Sequence, residues 1–229
     1  MMTIFMLSML SLFISYQQDI SPSGVEISTL QNQSGTDSLL EKLSSQVKED
    51  SSLQEALKQG LIGYKYFSKE KTLNSQLVII DFTKPSDQKR FYIFDLTKEK
   101  IVHSDHVAHG KNSGLTYANS FSNQRHSNSS SLGFYRTAET YRGKHGLSLR
   151  LDGLETGINH NARERAIVMH SAKYANPDFI EKYGRLGRSF GCPALPEKDY
   201  SRIIDLIKEG SLLFIYHPDE TYIQKSQLF

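Results

Sequence analysis

The chain contains one cysteine, Cys192, set between Gly191 and Pro193 in the segment GRLGRSFGCPAL. The nearest strong chemical partner in the sequence is His170, 22 residues earlier, at the end of the apolar run AIVMHSA. A thiol attacks as its thiolate, and an imidazole within reach supplies both a base and a stabilising charge. The run predicts a strand whose polar end presents His170, with Ser171 beside it as a hydrogen-bonding group that orients the ring. Gly191 clears a side chain from in front of the thiol and leaves backbone N–H groups free to face a developing oxyanion. Pro193 fixes the chain direction into the next turn. On these residues alone two readings stay open: a catalytic Cys–His pair, or an inert buried thiol beside a core histidine.

A second constellation, HSDHVAH, offers His103, His106 and His109 as metal ligands. Strand geometry argues against it. Alternation sends His106 to the face opposite His103 and His109, and those two stand roughly 20 Å apart by strand rise. They read as solvated or hydrogen-bonded strand histidines. There is no H-E-x-x-H and no second cysteine for a zinc site, so no metal and no cofactor is expected.

The elements that must position these groups follow from periodicity. Leu39, Leu40, Leu43 and Val47 recur at helical spacing behind Asp37 or Ser38, and Leu53, Leu57 and Leu61 mark a second helix. The runs QLVIIDF, KRFYIFDL and KIVHSDHVAHG are β-branched or aromatic and separated by turn residues, which predicts an antiparallel meander. LSLRL, AIVMHSA and SLLFIYH are further strands, with one helical stretch, PEKDYSRIIDLIKEG, between the last two. The expected fold is mainly β with peripheral helices.

The chain has 229 residues, 27 basic and 25 acidic, for a net charge of +2, and no basic tract points to nucleic acid. One cysteine excludes an internal disulfide. Residues 4–14 form an apolar core that suits a signal peptide and is too short for a normal membrane span. The reading is export, to the periplasm or cell envelope, with a weak N-terminal membrane anchor as the variant. The expected organisation is 1–17 signal or anchor, 18–37 Ser/Gln-rich linker, 38–70 helical lead-in, 71–220 catalytic domain and 221–229 C-terminal tail. No oligomeric state follows from the sequence.

The pair IVMHSA and GRSFGCPAL resembles the signature of the L,D-transpeptidase catalytic domain, a YkuD-like β-sandwich in which a His-bearing strand precedes a Ser/Thr-x-Gly-Cys motif. HGKNSG, SSLGFYRT and YRGKHGLSLRLDGLE resemble the murein L,D-transpeptidase branch, and the likeness runs from about Gln76 to Pro218. It implies Cys192 as nucleophile, His170 as base and Ser171 as its orienting neighbour. It also implies an oxyanion hole of backbone amides around Phe190, Gly191 and Cys192, with Ser189 at the motif serine. Phe190 stands where the broad family has a second His, and Ala194 where it often has Asn. The implied reaction is acyl transfer on peptidoglycan stem peptides through a thioester. Hydrolysis by the same pair, as an L,D-carboxypeptidase or endopeptidase, is the alternative. A non-catalytic wall-binding module is the alternative of another class. A papain-like peptidase would place Cys before His, the reverse of the order here. The carboxylates of such a donor call for cations, for which Arg142, Lys144, Arg150, Arg185 and especially Arg188 are candidates. His145 and Tyr135 are expected to line the groove.

Overall fold

The computed structural model describes residues 33–69 and 71–229. The apolar N-terminal segment and most of the Ser/Gln-rich tract lie outside them. Two helices lead in. α1 (Gln33–Ser44) starts ahead of the cap expected at Asp37 or Ser38. α2 (Ser51–Phe67) is capped by Asp50, whose carboxylate accepts the Leu53 N–H at 3.1 Å. Leu39, Leu43, Leu53, Leu57 and Leu61 are buried where the helices pack on each other and α2 covers the sheet.

Eight strands form one continuous sheet: β1 (Gln76–Asp81), β2 (Phe91–Asp95), β3 (Lys100–Asp105), β4 (Gly133–Gly143), β5 (Gly146–Gly153), β6 (Val168–Ser171), β7 (Ala194–Leu195) and β8 (Leu212–Tyr216). Their order is β3-β2-β1-β8-β4-β5-β6-β7. The expected meander is β1–β2–β3, antiparallel throughout. β1, β2 and β8 are buried along their whole length. That is why they read as unbroken apolar runs and not as alternating ones. β8 pairs parallel with β1, and β7 parallel with β6.

The sheet's two ends approach each other. Just past β3, Ala108 exchanges backbone hydrogen bonds with Ala194 of β7 at 2.8 and 3.2 Å, and Gly110 bridges to Ser189. This closure lays the 106–118 loop against the turn that carries Cys192.

Three local features depart from the sequence reading. β4, the longest strand, is not among the predicted ones. A second helix, α3 (Pro177–Tyr183), stands between β6 and β7, ahead of the expected helix, α4 (Tyr200–Ile207). The last residues add an element that the periodicity did not show: α5 (Glu220–Lys225) buries Tyr222, and Ser226 donates to the buried Glu155 at 2.7 Å. Among the described residues no helix is long and apolar enough to cross a membrane.

Candidate active site

Parallel pairing of β6 with β7 matches His170 to Ala194 and Ser171 to Leu195. The strand end that bears the imidazole therefore lies beside the turn that bears the thiol, and the His170 N–H reaches the Pro193 carbonyl at 3.4 Å. The His170 ring is bonded at Nδ1 to the Ser171 carbonyl, 3.0 Å away. A carbonyl only accepts, so Nδ1 carries the proton and the neutral ring keeps a lone pair on Nε2. Ser171 orients the ring with its backbone and not with its hydroxyl, which corrects the role expected for that side chain. Burial holds the His170 pKa below the usual value; the Ser171 carbonyl works the other way, and the charges of His145 and Lys144 lower it further. The exposed His145 ring stacks on His170 with centroids 4.6 Å apart. Both His145 and Lys144 sit on the tight turn between Gly143 and Gly146 that joins β4 to β5.

Cys192 is half-buried. Its Sγ accepts the Val168 N–H at 3.4 Å and faces the Ala166 carbonyl at 3.6 Å. Ala166 aims that carbonyl from a left-handed backbone, φ +53°, a conformation that costs a residue with a Cβ about 1–2 kcal/mol. Burial pushes the thiol pKa up, opposed by the Val168 N–H and the fields of Arg165 and Lys144. The direction is opposite to the depressed pKa expected of this thiol. Thiol and imidazole are not hydrogen-bonded to each other. They sit on adjacent chain segments.

The turn itself is braced from behind. Gly191 has φ +124°, and a Cβ there would lie 2.8 Å from the Ser129 carbonyl oxygen and 3.1 Å from Ile167 Cδ1. Ser189 is buried. Its Oγ donates to the Cys192 carbonyl at 2.6 Å and accepts the Gly191 N–H at 3.0 Å. Ser189 thus shapes the turn and does not line a groove, and the Gly191 N–H is unavailable to an oxyanion. Among the described residues the Phe190 and Cys192 N–H groups meet no protein acceptor. Ser130 Oγ donates to the Gly191 carbonyl and accepts the Gly110 N–H.

Two cations that sequence reasoning passed over hold this brace. Arg165 binds the carbonyls of Ser122 and Ser129 at 2.7 and 2.6 Å and the hydroxyl of Ser131 at 3.0 Å. Arg90 is fully buried. It donates to the Val107 and Lys84 carbonyls and, at 2.8 Å, to Nδ1 of the equally buried His109. His109 Nε2 faces the Gly114 carbonyl at 3.4 Å, and the His109 carbonyl accepts the Ser189 N–H at 2.9 Å. Burial and the Arg90 charge press the His109 pKa down to about 3. His109 is therefore neither solvated nor a base. His103 and His106 also depart from strict alternation: β3 ends at Asp105, so both rings face that carboxylate, at 3.5 and 3.7 Å.

The remaining predicted residues divide. Tyr135 is fully buried with its hydroxyl against Ser131, so it belongs to the core and not to a groove. Arg188 Nη1 is held by the Lys111 and Gly114 carbonyls, both at 3.1 Å. Arg150 pairs with Glu139. Phe190 is 67% exposed, with Lys111 Nζ 4.6 Å from its ring centroid. Among the described residues no three His, Cys, Asp or Glu side chains form a metal-ligand set.

The family model for the L,D-transpeptidase catalytic domain matches residues 48–216. No curated protein sequence matches the chain. Similar solved structures include an L,D-transpeptidase from Mycobacterium smegmatis (12% identity, 62% of this chain and 59% of that one, TM-score 0.40). Others are an L,D-transpeptidase from Mycobacterium tuberculosis H37Rv (13%, 62% and 58%, TM-score 0.39) and residues 123–326 of an L,D-transpeptidase from Xylanimonas cellulosilytica (14%, 64% and 62%, TM-score 0.33). This chain spans about three-fifths of the length of each.

Proposed function

We propose that this chain, which belongs to the L,D-transpeptidase catalytic domain family, transfers acyl groups of peptidoglycan stem peptides through a thioester on Cys192. The observation that carries the reading is the His170 tautomer: Nδ1 is committed to the Ser171 carbonyl, and Nε2 is left to take a proton beside the nucleophile turn. With donor bound, His170 Nε2 accepts the Sγ proton as sulfur attacks the carbonyl carbon of the third stem residue. The oxygen takes the negative charge toward the Phe190 and Cys192 N–H groups. Collapse breaks the C–N bond. The imidazolium returns the proton to the departing D-alanine amine and a thioester remains. An acceptor amine then attacks the thioester, gives its proton to His170 and regenerates the thiol; water in its place gives hydrolysis. Lys144, exposed at the β4–β5 turn and close enough to bias both Cys192 and His170, supplies a cation for the donor's carboxylates. The substrate lies outside the cytoplasm, so the reading entails export.

Incubation of the purified protein with defined tetrapeptide muropeptides, followed by mass analysis, tests it. The expected result is release of D-alanine, a transient acyl adduct on Cys192 and cross-linked or tripeptide products. A protein that leaves the tetrapeptide intact and the thiol unacylated overturns the reading and leaves the wall-binding alternative.

A further inference from the structure

Phe190 is an oddity of the surface. It is the most exposed of the large apolar side chains in the described residues, at 67%, and it lies two positions from Cys192. The backbone that carries it is tied down. The Ser189 carbonyl before it accepts the Lys111 N–H at 2.8 Å, Gly110 bridges to Ser189, and Arg188 Nη1 clamps the Lys111 and Gly114 carbonyls. The clamped loop carries Lys111, Leu115 and Tyr117, the last two 56% and 48% exposed. The Ser86 N–H pins it again at the Thr116 carbonyl, 2.9 Å. The result is a tied-down backbone that presents the exposed Phe190 ring with the Lys111 ammonium over it, 4.6 Å from its centroid.

We infer that this platform binds a pyranose ring of the glycan strand to which the stem peptide is attached. The inference rests on the acyl-transfer reading and adds to it that the enzyme recognises glycan-linked stems in preference to free peptide. The chemistry is that of a sugar. One face of a pyranose presents C–H groups that lie on an aromatic ring, and its rim presents oxygens and N-acetyl carbonyls that accept from an ammonium such as Lys111. The sugar is tethered to the reacting carbonyl by three residues, roughly 10 Å at most at about 3.3–3.6 Å per residue, and Phe190 stands two positions from Cys192. A membrane surface would also take Phe and Lys side by side, but a group so close to the reacting thiol meets what is attached to the reacting carbonyl.

Two measurements on the full chain test this. The first compares kcat/KM for D-alanine release from a free tetrapeptide and from the same peptide on its disaccharide. Wild type should favour the disaccharide form by about tenfold or more. Phe190→Ala should bring that ratio close to one, Lys111→Ala should reduce it, and Phe190→Tyr should keep it. The second is equilibrium binding of a peptide-free β-1,4-linked N-acetylglucosamine hexamer, which Phe190→Ala should abolish. A wild-type ratio of one with no hexamer binding overturns the platform. So does hexamer binding that Phe190→Ala leaves intact, or Phe190-dependent binding to phosphatidylglycerol vesicles in place of the hexamer. Phe190-dependent hexamer binding without turnover of either peptide would retain the platform and remove the acyl-transfer reading.

Discussion

The turn around Cys192 has two sides, and each holds a histidine. Behind it, His109 has both ring nitrogens engaged, one by Arg90 and one facing the Gly114 carbonyl, in a largely buried network that runs through Ser189 to the Cys192 carbonyl. In front, His170 commits only Nδ1 and is stacked on an exposed His145. Burial lowers both imidazoles, so pKa direction alone does not separate them. The count of free lone pairs does. A ring with both nitrogens bonded to protein is a strut, whereas a ring with one nitrogen open can cycle a proton. On the proposed reading the chain uses one residue type for rigidity and for chemistry, and the surrounding hydrogen bonds decide which.

The largest effects belong to the front. Cys192→Ser should drop turnover below detection, since a hydroxyl is far less readily ionised than a thiol beside the same base. In wild type, alkylation of Cys192 should rise with pH with a midpoint above the roughly 8.5 of free cysteine, because burial favours the protonated thiol. A midpoint well below that value would mean that the thiolate is pre-formed and that the site works as an ion pair. His170→Ala should slow acylation on the order of 10²–10⁴-fold, the usual scale of a general base. Stopped-flow acylation with a thioester-forming substrate, beside circular dichroism to confirm the fold, reads this directly. Near-normal acylation in that variant would break the comparison, since His109 has no lone pair to offer.

Behind the turn the expected effect is smaller and of another kind. His109→Phe keeps volume but loses both bonds, and should slow acylation on the order of 10- to 100-fold, the scale of misplacing a reacting group by about 1 Å. His109→Gln, which can accept from Arg90 and donate to Gly114, should recover most of the rate. The pair also predicts acid sensitivity. The His109 pKa falls from an ordinary value of about 6.5 to about 3 on folding. Above pH 6.5 both states are neutral there and its contribution is fully present. As pH falls from 6.5 to 3 the unfolded chain takes up a proton that the folded chain refuses, and stability drops by up to about 1.4 kcal/mol per pH unit. Urea unfolding at pH 7 and pH 4 should show this loss in wild type and a shallower one in His109→Gln. An equal loss in both would remove His109 from the acid response.

How legible these two sides were in the sequence follows from how local their signals are. The buried strands β1, β2 and β8 are continuous apolar runs, and Cys192 and His170 announce themselves by residue type. β4 escaped because its register shifts between Thr137 and Thr140 and its outer half is exposed, so GFYRTAETYRG keeps no clean period. Tyr135 on that strand turned out buried for the same reason that aromatics usually are in strands. The brace was invisible. Arg90 reads as half of a surface Lys-Arg pair before a strand, and only the closure of the sheet buries it against His109. Arg165 lies in NARERAI among other charges, and its partners are two backbone carbonyls and two hydroxyls of a serine-rich loop some 34–43 residues away. Nothing in a single sequence marks a carbonyl as an acceptor for a distant arginine. The motif glycine was legible, but its N–H was counted as free when the serine two residues before it takes that N–H.

The smallest predicted effect is the most discriminating. Adjacency in the sequence casts Ser171 as the hydroxyl that orients the base, and a hydroxyl role would make Ser171→Ala costly to the rate. The geometry assigns the orientation to the Ser171 carbonyl, which alanine also has. Its position is fixed by pairing with Leu195 and not by its side chain. Ser171→Ala should therefore leave acylation within about twofold of wild type, the range of a substitution that removes no buried interaction. Ser171→Pro is the sharpening control. The register places Ser171 at the last pair of the β6–β7 ladder, where a proline imposes its own φ and constrains His170 before it, so the carbonyl that holds Nδ1 should shift. A large loss in Ser171→Pro beside near-normal Ser171→Ala assigns the orientation to the backbone. A large loss in Ser171→Ala would return the role to the hydroxyl and mean that the imidazole turns from this carbonyl before it accepts the thiol proton.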